Sequence, residues 1–367
     1  MQRRIFVILF LFLMNNITVS AFELSAKSAV LYEPVTNRVI FEINKDAKMP
    51  MASTTKIATC ITALEYGNLS DMVTISKNAA DTEGSSMWLE EGEQLSLSDL
   101  LYGLMLSSGN DAAVAIAEHV SGSVEKFANL MNKTAYKSEA YNTNFTNPSG
   151  LDHENHYTTA YDLAKITRYA MNNSLFREIV STNKKSLPWQ GHEWNRVLSN
   201  HNKMLKMYDG CNGVKTGFTK KSGRCLVTSA EKNDISLIAV TFNAPDDWND
   251  HKKMLDYGFE KLSVKKICES GRAAGEVPVA SGTLDKIECI VSENFDIPVI
   301  ESDNIKTNIV LSKEVTAPVS KGDIIGYMEI SLNNELIESI DIISNTDCEK
   351  EYIPTFKDYV SLILKNM

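Results

Sequence analysis

Positive charge, cysteine and long apolar runs are all scarce in this chain of 367 residues. Its formal net charge is -10, so the concentrated basic surface that a nucleic-acid partner requires is not expected. Its six cysteines include no Cys-x-x-Cys pair, and their spacing indicates neither a zinc site nor a dense disulfide framework. A disulfide between Cys268 and Cys289 is left open, with free thiols as the favoured alternative.

Histidine is scarce as well, and the six histidines are scattered. His153 and His156, beside Asp152 and Glu154, have a spacing that metal ligands can adopt. The segment is rich in polar turn residues, however, so we expect neither a metal nor another cofactor there.

The N-terminus carries an apolar run, Ile5–Met14, that is too short to span a bilayer. Arg3 and Arg4 precede it, and Val19-Ser20-Ala21 suits cleavage by a signal peptidase. Residues 1–21 are therefore predicted to be an export signal, with a buried helix as the alternative.

The length permits one large domain with a good core and a second, smaller one. Residues 22–263 mix strand-like and helix-like runs, which predicts an α/β domain with a mainly antiparallel sheet covered by helices. Residues 264–350 alternate valine, isoleucine and threonine with charged residues, which predicts a small all-β domain. Residues 353–367 predict an amphipathic tail helix that either contacts a membrane interface or docks on the β domain.

Local patterns predict the elements of the larger domain. Two hairpins are expected, one from Ser28–Glu33 with Arg38–Ile43 and one from Gly213–Thr219 with Gly223–Ala230. Helices are expected to begin at Ser53, after an N-cap at Ser98, and at Asp111.

Three short motifs follow one another: Ser53-Thr-Thr-Lys56, Ser108-Gly-Asn110 and Lys215-Thr-Gly217. None is specific alone, because Ser-x-x-Lys recurs at Ser123, Ser181, Ser229 and Ser263. The order of the motifs and their local context carry the information. The first motif is a polar cluster at the start of an otherwise apolar helix, unlike its other matches.

Ser53 and Lys56 share a helix face, because residues three apart are neighbours on a helix. A serine hydroxyl needs a base to become a nucleophile. Lysine can be that base only if burial and a second cation lower its pKa, and Lys215 is the candidate cation. The alternative is an ordinary N-cap region with a solvated lysine.

The second motif lies in a predicted junction between two helices. Ser108 is a candidate proton relay, and Asn110 is a candidate for binding a substrate amide or for orienting Lys56. The alternative is a helix–helix turn capped by small residues.

The third motif lies on a predicted strand. Lys215 offers a charge and Thr216 a hydroxyl, which together suit a terminal carboxylate, and Gly217 leaves the backbone open to a ligand. The backbone N–H groups of Ser53 and Phe218 are the expected oxyanion donors. The alternative is a solvated lysine on an edge strand.

The ordered motifs resemble those of penicillin-recognising serine enzymes. Wider stretches narrow the resemblance to the low-molecular-mass penicillin-binding proteins that act as D-alanyl-D-alanine carboxypeptidases. The resemblance covers nearly the whole chain, and it rests on Ala52–Thr59, Glu83–Trp88, Leu106–Asp111, Asn147–Leu151 and Gly213–Thr219.

This resemblance implies a β-lactamase/DD-peptidase-like fold and a cofactor-free serine hydrolase. The enzyme would remove the terminal D-alanine from peptidoglycan stem pentapeptides, and β-lactams would acylate it as substrate mimics. The β domain and tail would hold it peripherally at the extracytoplasmic face of the bacterial cytoplasmic membrane, unless it is secreted. The resemblance implies that Ser53 is the nucleophile and Lys56 the general base. Ser108 and Asn110 would relay protons and position the substrate, and Lys215 and Thr216 would bind its carboxylate.

The chain departs from the family pattern in two ways that bear on the alternative functions. Phe218 stands where some relatives carry histidine, so no imidazole assists there. No glutamate is convincingly placed to drive deacylation, which disfavours an efficient β-lactamase. A β-lactamase or D,D-endopeptidase on the same fold is the first alternative. The second is a non-catalytic wall-binding protein, which the intact Ser53, Lys56 and Lys215 argue against.

Overall fold

A computed structural model describes residues 23–353 and 356–365. The predicted export signal, residues 1–21, lies outside the described residues, as do residues 354–355 and 366–367 of the predicted tail helix.

The larger part of the chain, up to Leu262, contains both strands and helices. Its strands are β1 (Ser28–Glu33), β2 (Arg38–Ile43), β3 (Met72–Thr74), β4 (Gln94–Ser96), β5 (Lys184–Leu187), β6 (Arg196–Ser199), β7 (Cys211–Thr219), β8 (Gly223–Lys232) and β9 (Ile235–Phe242). Its helices are a 3-10 turn (Ala52–Thr55), α1 (Lys56–Tyr66), α2 (Lys77–Ala80), α3 (Leu97–Leu106), α4 (Asn110–Ser121), α5 (Val124–Lys137), α6 (Ala160–Met171), α7 (Ser174–Ser181), α8 (Met204–Met207) and α9 (Asp247–Lys261).

The central sheet has the strand order β2-β1-β9-β8-β7, and each neighbouring pair is antiparallel. One face packs against a large core that includes α1, α3, α4 and α6, and the other packs against α9. A strand covered on both faces is rich in apolar residues. β1 is buried along its whole length, and its polar end residues Ser28 and Glu33 form hydrogen bonds. The predicted α/β fold with an antiparallel sheet under helices is confirmed. Both predicted hairpins form as well.

Two helix starts differ from the prediction. The helix expected from Ser53 begins as the 3-10 turn, and α1 itself begins at Lys56. The predicted N-cap at Ser98 is wrong: the cap of α3 is Ser96, whose Oγ accepts a hydrogen bond from the Asp99 backbone N–H at 3.0 Å. Ser96 and Asp99 have capping-box spacing, so the cap forms two residues earlier than expected.

The following part is all-β, as predicted. Its strands are β10 (Ser263–Cys268), β11 (Ala273–Ala280), β12 (Lys286–Val291), β13 (Phe295–Val299), β14 (Ile305–Leu311), β15 (Val315–Thr316), β16 (Ile324–Leu332) and β17 (Glu335–Ser344). Six of them form a sheet in the order β14-β16-β17-β12-β11-β15, and β10 pairs with β13. Alternating side chains of this sheet form a separate core. Cys268 and Cys289 are both free and buried in that core.

The last helix, α10 (Phe356–Lys365), exposes apolar side chains such as Phe356 and Ile363. Among the residues that the structure describes, no helix combines the length and apolarity needed to cross a membrane.

Candidate active site

The 3-10 turn packs directly against β7, the edge strand of the sheet. A Cβ at Gly217 would lie 3.0 Å from the Ser53 backbone nitrogen and 3.2 Å from the Ala52 Cβ. A side chain at 217 would therefore crowd the chain's own backbone, and Gly217 also lines the crevice, where the sequence suggested room for a ligand. Ala52 is held in the left-handed region at φ 46°, so the residue before Ser53 is strained.

Lys56 is completely buried beside Ser53. Its Nζ lies 3.0 Å from Ser53 Oγ, 2.7 Å from Asn110 Oδ1 and 2.7 Å from the Ser149 carbonyl oxygen. The three-residue spacing thus brings the hydroxyl and the amine together, as the sequence predicts.

Burial, and next the neighbouring Lys215, hold the pKa of Lys56 well below its ordinary value. A neutral amine has two protons and one lone pair. The Asn110 Oδ1 and the Ser149 carbonyl can only accept hydrogen bonds, so they take the two protons. The lone pair is then left for the Ser53 hydroxyl, which is the arrangement that a general base requires.

Asn110 is fixed by several contacts at the start of α4. Its Nδ2 donates to the Glu83 carbonyl at 2.7 Å, and its backbone N–H donates to the Ser85 carbonyl at 2.7 Å. Because its Oδ1 accepts from Lys56, its side-chain amide is already paired at both ends. Of the two roles that the sequence left open, this geometry favours orienting Lys56.

A buried carboxylate at the start of α4 holds the loop at residues 86–89. Asp111 accepts backbone hydrogen bonds from Met87 and Leu89, each at 3.1 Å, and a hydroxyl hydrogen bond from Ser86 at 2.6 Å. Ser108 is buried at the crevice with φ 59°, in the left-handed region. The junction between α3 and α4 is therefore strained and tightly held, and it brings Ser108 to the same crevice as Ser53.

The turn at residues 147–151 contributes a contact that the sequence did not assign. It supplies the Ser149 carbonyl to Lys56, and a Cβ at Gly150 would lie 1.9 Å from the Ala52 carbonyl oxygen. Asn147–Leu151 is one of the stretches on which the family resemblance rests, although its residue types alone predict only a turn.

His156 packs behind the same region. Its Nδ1 accepts from the Thr146 backbone N–H at 3.1 Å, so its Nε2 is the ring atom that faces Thr55 Oγ1 at 2.8 Å. Burial lowers the pKa of His156 to about 4, which keeps the ring neutral. Within the described part of the chain, no group of three histidine, cysteine, aspartate or glutamate side chains is arranged to hold a metal ion.

Lys215 lies on β7, one position before Thr216, and is 2% exposed. Its Nζ donates to the Thr216 carbonyl at 3.0 Å, and burial lowers the pKa of Lys215 to about 7. Thr216 lines the crevice, and Phe218 stands at its rim with 66% of its surface exposed.

The crevice has a volume of about 360 Å³. It brings together Ser53, Ser108, Thr216, Gly217 and Phe218 with Ser85, from the stretch Glu83–Trp88. Five further lining residues were not singled out from the sequence: His201, Lys203, Arg224, Asp247 and Trp248.

Arg224 is the most informative of the residues that were missed. It is the cross-strand partner of Phe218, and its Nη2 lies 2.8 Å from Asp247 Oδ1. The strands predicted for this hairpin end at residue 219 and begin at residue 223, and pairing those two ends sets residues 218 and 224 opposite each other. No register was predicted from the sequence, but these bounds were a signal from which this guanidinium could have been found. It lines the crevice together with another cation, Lys203, and with its own ion-pair partner Asp247.

Two family profiles match the two parts of the chain. The profile of a family described as D-alanyl-D-alanine carboxypeptidase matches residues 15–246, and one described as penicillin-binding protein 5, C-terminal domain, matches residues 263–350. The chain is 34% identical to D-alanyl-D-alanine carboxypeptidase DacF of Bacillus subtilis over 342 residues, 90% of this chain and 88% of that protein. It is 32% identical to DacC of Escherichia coli over 91% of this chain and 86% of that protein.

Solved structures resemble the fold. Penicillin-binding protein 5 from Haemophilus influenzae has a TM-score of 0.71 at 29% identity, covering 90% of this chain and 100% of that one. A serine-to-alanine mutant of the Streptomyces K15 DD-transpeptidase has a TM-score of 0.62 at 31% identity, covering 65% of this chain and 100% of that one.

Proposed function

Because the chain belongs to the D-alanyl-D-alanine carboxypeptidase family of serine peptidases, we propose that it removes the terminal D-alanine from peptidoglycan stem pentapeptides through an acyl-enzyme at Ser53. The observation that carries the proposal is the position of Lys56 Nζ, 3.0 Å from Ser53 Oγ and fixed by two further acceptors. The base is thus in place before substrate arrives.

Acylation begins with Ser53 and Lys56. The Ser53 Oγ bonds to the carbonyl carbon of the penultimate D-alanine, while its proton passes to Lys56 Nζ. The backbone N–H groups of Ser53 and Phe218 stabilise the oxyanion. The C–N bond then breaks, and the proton passes from Lys56 through Ser108 Oγ to the leaving amino group of the terminal D-alanine. Water hydrolyses the resulting ester, which frees the Ser53 hydroxyl.

Binding of the substrate depends on charge at the other side of the crevice. Thr216 and Arg224 line the crevice, and Lys215 directly precedes Thr216 on β7. We therefore assign the terminal carboxylate to Thr216 and Lys215, with the Arg224 guanidinium as an additional partner. The same contacts would hold the carboxylate of a β-lactam, so β-lactams acylate Ser53 and inhibit the enzyme.

Mass spectrometry tests the proposal directly. After incubation with a penicillin, we expect the intact chain to gain the mass of one antibiotic, mapped by proteolysis to the peptide that contains Ser53. We also expect release of D-alanine from a free pentapeptide, and Ser53→Ala should abolish both. An adduct on another residue, or fast turnover of the penicillin, would favour the alternatives over a carboxypeptidase.

The proposal extends to cellular location. The enzyme would be exported by a signal at residues 1–21 and would work outside the cytoplasmic membrane. Its catalytic domain would span residues 22–263 and its β domain residues 264–350. The tail, residues 353–367, would contact the membrane surface through the exposed apolar side chains of α10. Flotation with lipid vesicles tests this contact: the full chain should float, and a chain ending at residue 352 should not.

A further inference from the structure

Three of the chain's four tryptophans lie together outside the crevice. Trp189, His192 and Trp194 belong to the connection between β5 and β6, with ring centroids 4.3 Å apart for the first pair and 5.2 Å for the second. Trp194 is 62% exposed, and Trp88 on the neighbouring loop is 72% exposed. We call these four residues the tryptophan face. Two large aromatic rings left open to solvent on one surface usually mark a binding site.

Contacts beneath the tryptophan face hold it in place. Arg196 stacks on the Trp189 ring at 4.5 Å and donates to the Trp88 carbonyl oxygen at 2.8 Å. The same guanidinium forms a two-point ion pair with Glu93, and both side chains are almost fully buried. Trp88 itself is in the left-handed region at φ 65°, which is unusual for so large a residue. Rings ordered in advance lose little entropy when they bind a ligand.

Trp88 connects the tryptophan face to the active site, whereas Trp189, His192 and Trp194 do not line the groove between them. A groove of about 380 Å³ runs along Trp88 and β6, and it shares Ser85 and His201 with the crevice that contains Ser53. A long substrate held at Ser53 can therefore extend along the groove to Trp88.

The polar surroundings indicate the chemistry of that substrate. Glu90 contacts His192 at 3.1 Å, and Gln190, Glu193 and Asn195 are exposed around the rings. A pyranose ring has apolar C–H faces and a rim of hydroxyls, so it suits aromatic rings edged by acceptors and amides. The carboxylates at 90, 91 and 193 would repel anionic lipid headgroups, which argues against a membrane surface as the occupant.

We propose that the tryptophan face binds sugar rings of the glycan strand that bears the stem peptide. This inference rests on the proposed function, since the stem peptide at Ser53 is covalently attached to that strand. The enzyme then recognises polymeric peptidoglycan better than free peptide, because both parts of one substrate are bound at once.

Two substrates with the same pentapeptide test the proposal, one free and one carried on soluble uncrosslinked glycan strands. For the Trp194→Ala variant, the ratio of kcat/KM on strands to kcat/KM on free peptide should fall about tenfold. Trp194→Phe should retain most of the ratio, because it keeps an aromatic ring. Tyr141→Ala is the matched control: Tyr141 is 64% exposed in another aromatic pair, with Tyr136, and should leave the ratio unchanged.

Calorimetric titration of the unmodified chain with glycan strands stripped of peptide separates this inference from the proposed function. Binding that weakens about tenfold in Trp194→Ala supports the tryptophan face even if no D-alanine is released. Equal binding by both chains, or no binding by either, overturns the inference even if the carboxypeptidase is active. Attachment to anionic vesicles through Trp194 without any binding of glycan would also overturn it.

Discussion

Lys56 and Lys215 are both buried, and burial lowers the pKa of each. Lys56 must be neutral to accept the Ser53 proton, and both its burial and the nearby Lys215 lower its pKa. Lys215 must be charged to bind a carboxylate, yet burial lowers its pKa to about 7. The two residues therefore place opposite demands on pH, and the overlap of their active forms sets the working range.

The pH profile of kcat/KM on a free pentapeptide should be bell-shaped. Activity rises with pH through the pKa of Lys56, because the amine becomes neutral. It then declines above about pH 7, where Lys215 loses its proton. The decline should be partial, since an arginine such as Arg224 keeps its charge at these pH values.

The matched control for this profile is a pentapeptide whose terminal carboxylate is amidated. It has no anion for Lys215 to bind, so its slower reaction should show the acid limb without the decline above pH 7. The same decline with both peptides would contradict the carboxylate-binding role of Lys215.

The sequence predicted the contacts that Lys56 makes with two side chains, because the residue types of both partners mark them. Ser53 follows from helical spacing, and Asn110 follows from its motif. The third contact is a backbone carbonyl, that of Ser149, which lies 93 positions away. Every residue has a carbonyl, so no residue type marks this one, and only the folded chain identifies it.

At the scale of the element, the site depends on short segments packed edge to edge. The 3-10 turn lies between β7 and the turn at residues 147–151, and glycines at 217 and 150 make both contacts possible. Both hairpins were predictable because strand and turn preferences are local. The 3-10 geometry was not predictable, because packing against two distant segments determines whether the turn continues as α-helix.

The Gly150→Ala variant, compared with a control at another glycine of positive φ, should show how much of the cost of a side chain at 150 comes from packing and how much from backbone conformation. Its φ is 88°, and the new Cβ would overlap the Ala52 carbonyl oxygen, so both the 3-10 turn and the Ser149 carbonyl must move. We expect a loss of at least about 3 kcal/mol in the free energy of unfolding. Acylation by penicillin should slow by about 100-fold, since small misplacements of reacting groups are costly.

Gly122→Ala is the control for that variant. Its φ is 83°, but nothing lies within 4 Å of the new Cβ. It should lose about 1 kcal/mol of stability and acylate at the unmodified rate. If the two variants behaved alike in both stability and acylation, the packing argument would fail.

At the scale of the whole molecule, the two parts meet at a loosely filled junction. Leu262 alone separates α9 from β10, and a cavity of about 610 Å³ opens between Arg38, Tyr257 and Glu301. Arg38 crosses the junction, because its Nη1 pairs with Asp303 and its Nη2 donates to the Pro298 carbonyl at 3.2 Å. Composition predicted that a β part follows the α/β part. It could not predict a junction built from residues 265 positions apart.

Ile300 packs against the core of the larger part, and the Arg38–Asp303 ion pair adds a polar contact across the same junction. This ion pair should therefore contribute to docking of the two parts. Arg38→Ala removes the cation from a carboxylate that is 2% exposed, which should cost about 2 kcal/mol at the junction. We expect calorimetry to resolve two unfolding transitions and small-angle scattering to show a broader range of shapes. Acylation of Ser53 should be unchanged, because Arg38 does not line the crevice.

Lys286→Ala, which breaks an exposed pair with Glu276 inside the β part, should alter none of these measurements. One unshifted transition in Arg38→Ala would mean that the junction is held by other contacts.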